Sequence, residues 1–203
     1  SAAGGIQSTA TKDGTTVDNC ILWDNTAGEA LNLTDQQVAG SFLKISYSCI
    51  AGSWTGAGRG HNIEINPGFI DVAGPDRITG TADDNVRLRA TSPCIDAGDS
   101  SSLPADILDT DDDGSTAEPL PVDYDGLPRL LDDPEVADTG GGPLTFLDMG
   151  AYEGARQSLL VSSSLIQVPE GATANLQVRL AQNPGVAVAV TFAYRSGHTG
   201  FTI

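Results

Sequence analysis

The sequence predicts an all-β fold in two parts, and three observations carry the prediction. Short apolar runs alternate with polar residues at a period of two, the mark of half-buried strands. Gly (24) and Pro (11) are frequent, while long runs of helix formers are missing. The composition also changes sharply near Gly154, strongly acidic before it and nearly free of acids after it. A chain of 203 residues has room for one large domain and a smaller companion. The reading is of stacked parallel coils with a long acidic capping loop over 1–153, then a partial antiparallel β-sandwich over 154–203.

Residues 1–16 are small and polar without a period and read as loop or a frayed coil. "VDNCILWDN" (17–25) is the first strand-like run. In "FLKISYSCI" (42–50) Leu43, Ile45, Tyr47 and Cys49 alternate with Lys44, Ser46 and Ser48, which predicts one continuous strand. "GAGRG" (56–60) lacks the Lys-Ser/Thr of a phosphate loop and reads as a flexible connector. "NIEI" (62–65) sets Ile63 and Ile65 against Glu64, and "NVRLRA" (85–90) sets Val86 and Leu88 against Arg87 and Arg89. These strands recur roughly every 20–25 residues, within the ~20–50 range of repeat architectures. They are joined by loops and not by tight hairpins, which favours a parallel β-helix over an antiparallel sandwich. Such a coil needs its open end covered. Ser100 to Asp148 is the expected cover, with "DMGAYE" (148–153) as a final short strand.

Four segments, "NCILWDN", "ISYSCIAGSWTGAGRGHNIEINPGFID", "GPDRITGTADDNVRLRATSPCIDAGD" and "VDYDGLPR…LDMGAYE", resemble the C-terminal end of bacterial right-handed parallel β-helix repeat proteins. The resemblance runs over about residues 17–153 and keeps the order of the motifs. It implies a right-handed coil and an extracellular or cell-surface setting, and it implies no reaction.

After Gly154 the alternation changes character. "LIQV" runs into the turn "PEGA", "ANLQVRL" puts Leu176, Val178 and Leu180 on one face, and "VAVAVTFAY" aligns Val186, Val188, Val190, Phe192 and Tyr194. This predicts an antiparallel meander. "VPEGATANLQVRL" is similar to the opening strands of Calx-beta-type and related Ig-like extracellular modules. Such a sandwich needs about seven strands, and only three and the start of a fourth, "FTI", are present.

Ten basic residues face 27 acidic ones, a net charge of −17, and Asp outnumbers Glu by 21 to 6. That field repels nucleic acid and anionic lipid and suits divalent cations. No apolar run approaches the ~20 residues of a membrane span. The chain opens without Met and without a signal peptide, and reads as a piece of something longer. Cys20, Cys49 and Cys94 show no zinc spacing. They are read either as free buried thiols or as one disulfide plus a thiol.

"DTDDDGS" (109–115) is the strongest chemical signal. Asp109, Asp111 and Asp113 stand at i, i+2 and i+4, so their carboxylates can converge, and Gly114 permits the turn beneath them. No Lys or Arg lies within ten residues on either side. Calcium takes ~6–8 oxygens, and the Ser115 carbonyl and the Glu118 carboxylate are the further donors. Leu120 stands where an EF-hand would place Glu. A second loop offers Asp76, Asp83 and Asp84 as cation ligands, with ion pairing to Arg77 and Arg87 as the competing reading. Asp123 and Asp125 read as an Asx turn near Arg129, Asp96 and Asp99 as turn caps, and Asp132 and Asp133 as surface residues.

Catalysis is not indicated. His61 and His198 lack triad context, no GxSxG occurs, and the aspartates give no acid/base pair. Lys44 is the one outward lysine on a strand, and Trp23 and Trp54 read as packing residues. Aromatic content of 5% argues against a carbohydrate-binding module with a row of exposed rings. The sequence therefore reads as a calcium-stabilised structural or adhesive segment of a secreted or cell-surface protein. Its expected partners are other copies of itself or other surface proteins, and polysaccharide. The alternative is the non-catalytic C-terminal part of a β-helical polysaccharide lyase or glycoside hydrolase.

Overall fold

Alternating apolar residues and left-handed corner positions build a ladder of parallel strands. The computed structural model describes residues 5–10, 14–26, 34, 37–52, 54–154, 159–161 and 178–180. Within them the chain is all-β. It divides into two units, Ser1–Arg156 and Gln157–Ile203.

The first unit opens with β1 (Ile6–Ser8), β2 (Thr15–Asp18), β3 (Ile21–Leu22), β4 (Val38–Gly40), β5 (Leu43–Ser46), β6 (Cys49–Ile50) and β7 (Ala57–Gly60). Every pairing among them is parallel: β1 with β4, β2 with β5, β3 with β6, and β5 with β7. The step along the chain from Thr15 to its partner Leu43 equals the step from Ile21 to Cys49. About half that step separates Lys44 from Ala57 and Cys49 from Ile63, so the third tier is contracted. "GAGRG" is thus a strand on the ladder and not the flexible connector expected from its glycines.

The corners align from tier to tier. Asn19, Tyr47 and His61, in register between consecutive paired strands, all have positive φ (57°, 47° and 58°). Gly14 and Phe42 form a second matched pair (φ 78° and 56°), with Thr15 N–H donating to the Phe42 carbonyl at 2.9 Å. A left-handed residue turns the chain while leaving both flanking strands on the ladder. For Tyr and His this conformation costs on the order of 1–3 kcal/mol each. Their stacked rings, with centroids 4.7 Å apart and 7° between planes, offset part of that cost.

The corner at Tyr47 breaks the continuous strand predicted over 42–50. Leu43 and Ile45 point inward and Lys44 outward, as the alternation requires. From Ser46, just before the corner, the pattern fails, and Ser46, Ser48 and Ile50 are buried as well. The buried serines are bonded: Ser48 Oγ donates to the Ser46 carbonyl at 2.9 Å and accepts the Cys20 N–H at 3.2 Å.

Val17, Leu22, Val38, Leu43, Ile45 and Ile50 pack between the tiers, with Trp54 against them. Full burial of Ile45 and of Ile50 stabilises the fold by about 1.5–3 kcal/mol each. A second cluster joins Cys49 to Leu88, Cys94, Ile95, Ala97 and Met149, with Trp23 and Ile63 at its edge. Of "NIEI", Ile63 bridges to Cys49 but Ile65 is exposed.

Beyond the ladder, β8 (Phe69–Asp71) and β9 (Asn85–Leu88) pair antiparallel, Phe69 opposite Leu88. This hairpin departs from the loops-only expectation. Leu88 is buried, whereas Val86 on the same predicted face is exposed. From Ser92 to Gly154 the backbone is irregular, with a 3-10 turn at Ser100–Ser102 and isolated bridges. "DMGAYE" forms bends and not the predicted strand: Met149 N–H donates to the Cys94 carbonyl and Gly150 N–H to the Asn19 carbonyl.

The irregular segment docks on the corner column. Asn19, itself buried, donates from Nδ2 to the Asp99 carbonyl at 3.0 Å and accepts the Asp99 N–H on Oδ1 at 2.7 Å. One tier on, Tyr47 packs so closely on Gly141 that a Cβ there would overlap its ring.

In the second unit β10 (Leu159–Val161) pairs antiparallel with β11 (Val178–Leu180), Leu159 opposite Leu180. "LIQV", Leu176, the Val186–Tyr194 stripe and "FTI" lie outside the described residues. Among the described residues no helix is long and apolar enough to cross a membrane.

Asn19→Ala removes both bonds to Asp99 and takes the Asn19 acceptor from the Asp99 N–H, while the Asp99 carbonyl keeps the Ser102 N–H at 3.0 Å. At about 1–3 kcal/mol for a buried group that loses such a partner, urea unfolding should show a loss of roughly 1–3 kcal/mol. A loss below ~0.5 kcal/mol would mean that the corner does not anchor the segment.

Candidate metal centre

The loop from Asp106 to Glu118 brings five carboxylates together. Asp109, Asp111 and Asp113 each place an oxygen within 4.8 Å of the others', as the i, i+2, i+4 spacing predicts. The local fold explains the convergence. Gly114 is left-handed (φ 86°) and donates its N–H to Asp109 Oδ1 at 3.1 Å, folding the chain back over the first ligand. Ser115 N–H donates to Asp113 Oδ1 at 2.7 Å, and the Ser115 hydroxyl donates to Glu118 Oε2.

Asp106, which the sequence reading missed, extends the cluster. Its carboxylate, with those of Asp111 and Glu118, forms a second convergent triple, so Asp111 is shared by both. Asp106 is buried. Its Oδ2 accepts the Thr110 N–H at 2.8 Å and the Thr110 hydroxyl at 2.9 Å, but Oδ1 has no donor. Glu118 Oε1 is also buried without a donor. Two shielded, unpaired carboxylate oxygens beside Asp111 are what a bound cation would satisfy. Desolvation by its neighbours, then the charges of Asp113, Asp106 and Glu118, hold Asp111 above the ordinary carboxylate range. The donors are all oxygen, the set that calcium or magnesium prefers.

The other sequence-predicted ligands are used differently. Asp83 Oδ2 accepts the Asp76 N–H at 3.2 Å, and Asp84 Oδ2 accepts the Gly80 N–H at 2.6 Å. Asp76 Oδ1 accepts the Ile78 N–H at 2.8 Å, and the Thr81 hydroxyl holds Asp83 below its usual pKa. Asp76, Asp83 and Asp84 form no convergent triple of the kind seen at Asp109. Arg87, the expected neutraliser of this loop, turns instead to Asp125 at 2.5 Å and lies over the Tyr152 ring.

The turn at 123–127 is capped by Asp123 and not by Asp125, as Asp123 Oδ1 accepts the Asp125 and Leu127 N–H groups at 2.8 Å each. Asp99 caps its turn as expected, accepting the Ser101 N–H at 3.0 Å. The Asp96 carboxylate caps nothing, and Asp133, read as a surface residue, is buried. Both reversals go with burial that local sequence does not signal: Cys94, Ile95 and Ala97 flank Asp96 in the second core cluster, and Asp133 is buried beside Asp96.

A buried polar network underlies the segment. Asp148 Oδ1 accepts the Asp96 N–H at 2.8 Å, and its Oδ2 accepts the Gly154 N–H. Asp123 Oδ2 accepts the Glu153 N–H at 2.8 Å. Arg129 reaches Glu153 at 3.0 Å and donates to the Gly150 carbonyl at 2.9 Å. Burial, then the Asp148 charge, pushes Glu153 upward against the pull of Arg129. Burial raises Asp148 to about 7, against two main-chain N–H bonds that favour its charged form.

The three cysteines are free thiols. Lys44 lines neither of two cavities, of about 580 and 430 Å³, that flank Asn19, Gly150 and Ala151. Comparison with family models, with curated proteins and with solved structures found no match. The class of the protein is therefore set by its fold and its acidic loop: an all-β chain with parallel pairing and a convergent carboxylate cluster that could hold a cation.

The raised Asp148 pKa fixes a pH dependence. A carboxyl lifted from 3.8 to about 7 in the folded state contributes stability that is complete below the ordinary pKa and lost as pH rises through 7. In chelator, the thermal midpoint should fall by several degrees between about pH 4 and pH 7, and Asp148→Asn should flatten that fall. Equal slopes for both proteins would refute the assignment.

Proposed function

We propose that residues 1–153 are terminal coils of a right-handed parallel β-helix, and that the chain is a calcium-stabilised structural or adhesive segment of a secreted or cell-surface protein. The observation that carries this is the ladder of parallel pairs, two of them at the same chain step, with matched left-handed corners, beside an acidic loop with no Lys or Arg within ten residues in sequence. Short strands that pair in parallel and are joined through left-handed corners suit a stacked coil. A coil of this kind stabilises itself tier by tier and presents long side faces, which suits a scaffold whose partners are copies of itself or other surface proteins. On this reading the Asp106–Glu118 loop takes up calcium and becomes a rigid part of the coil's flank.

Thermal unfolding with and without chelator tests it. With calcium at about 100 times its Kd, chelation should lower the midpoint by roughly 5–10 °C. Asp109→Asn/Asp111→Asn should lose most of that response while keeping the chelated midpoint. A midpoint indifferent to calcium would sink the proposal.

A further inference from the structure

Asp96 has a side chain that the fold does not use. It is fully buried, at 0% exposure, on a left-handed backbone with φ 51°. Its main chain is committed: its N–H donates to Asp148 Oδ1, and its carbonyl accepts from Thr139 N–H (2.8 Å), Gly140 N–H (3.0 Å) and the Thr139 hydroxyl (3.2 Å). Neither carboxylate oxygen has a hydrogen-bond donor. Buried aspartates elsewhere in the segment accept N–H groups: Asp99, Asp106, Asp123 and Asp148 all do. A carboxylate shielded from water with both oxygens empty needs a partner of another kind.

The surroundings identify that partner by charge and geometry. One oxygen each from Asp96, Asp132 and Asp138 lies within 4.8 Å of the others. Oxygens at ~2.3–2.6 Å from a common calcium ion are separated by at most about twice that distance, so the triple fits one ion. The groups acting on Asp96 are the anions Asp132, Asp138 and Asp133, and the ion pairs of the described residues include none of the three ligands. The Asp133 amide eases the charge without reaching bonding geometry. Burial and these anions raise Asp96 to about 7.

The loop that carries the other two ligands is preset. Asp133 accepts the Glu135 N–H at 3.1 Å, and its carbonyl accepts the Val136 N–H at 2.8 Å. The Thr145 hydroxyl donates to Asp138 Oδ2 at 3.0 Å. Asp132 and Asp138 are exposed, so water can complete a coordination shell that Asp96 anchors from inside.

We propose that Asp96, Asp132 and Asp138 bind a hard divalent cation, distinct from the Asp106–Glu118 loop, that fastens the 132–138 loop to the buried Cys94–Gly98 run. The donors are three carboxylates with no nitrogen or sulfur, a set that takes calcium, magnesium or manganese in preference to zinc or copper.

Calcium titration calorimetry on the whole 203-residue chain, stripped with chelator at pH 7.5, tests the site. Asp132→Asn/Asp138→Asn changes only exposed side chains and should bind one calcium fewer than the wild type. Asp109→Asn/Asp111→Asn should lose the loop's calcium and keep this one, so failure of either site is told apart from failure of the other. Asp96→Asn should raise the midpoint in chelator and abolish the same equivalent. Unchanged stoichiometry and affinity in Asp132→Asn/Asp138→Asn would overturn the proposal.

Discussion

Between Ser92 and Gly154 no long sheet ladder serves the backbone N–H groups; many donate to carbonyls across turns and loops, and a further set donates to aspartate side chains, on which the acidic half of the protein depends. Asp99, Asp106, Asp109, Asp113, Asp123, Asp133 and Asp148 all accept main-chain N–H groups. Most of these bonds reach only two to five residues along the chain. Aspartate can do this because its short side chain folds back on its own backbone, whereas glutamate overshoots. The preponderance of Asp over Glu is therefore structural before it is electrostatic. It gives an irregular segment bonded main-chain groups without long strands.

That solution creates a charge problem. Asp96, Asp99, Asp106, Asp123, Asp133, Asp148 and Glu153 are buried, and Arg129 is the buried cation set against them among the described residues. Charge that is neither solvated nor paired must be removed by protons or neutralised by bound cations. Protons act where burial outweighs the N–H bonds that favour the charged form, as at Asp148. On the proposed reading, cations act where carboxylate oxygens converge and some lack donors, as at Asp106–Asp111–Glu118 and at Asp96–Asp132–Asp138. The two remedies compete, so a calcium-loaded chain should depend less on pH than a stripped one.

How much was legible in the sequence follows from the range of each interaction. Leu43 and Ile45 were readable as inward-facing because a period of two is local. Asp109, Asp111 and Asp113 were readable because ligands and turn glycine lie within six residues. Tyr47 was not, since its left-handed φ is imposed by the register with Asn19 and His61, one tier away on either side. Asp106 reads as an ordinary turn aspartate until its burial beside Asp111 and Glu118 is seen. Asp96 is the extreme case, because its partners Asp132 and Asp138 lie far along the chain and its burial depends on the Cys94–Met149 contact. Charge density was legible in the sequence, but only packing showed which carboxylate oxygens are buried without donors.

The position of the acidic segment changes what it can stabilise. A cover over the last tier would protect one open edge. The contacts run instead along the corner column: Asn19 holds Asp99 and Gly150, and Tyr47 packs on Gly141 one tier further on. The segment therefore ties successive tiers at the residues where the backbone is most strained, since left-handed Tyr and His persist only when their surroundings over-determine them. The contracted third tier, Ala57–Gly60, buries few side chains and can contribute little to that task. Cation binding in the 106–118 and 132–138 loops would then be felt throughout the ladder, because each loop belongs to the same aspartate-held segment that fixes its corners.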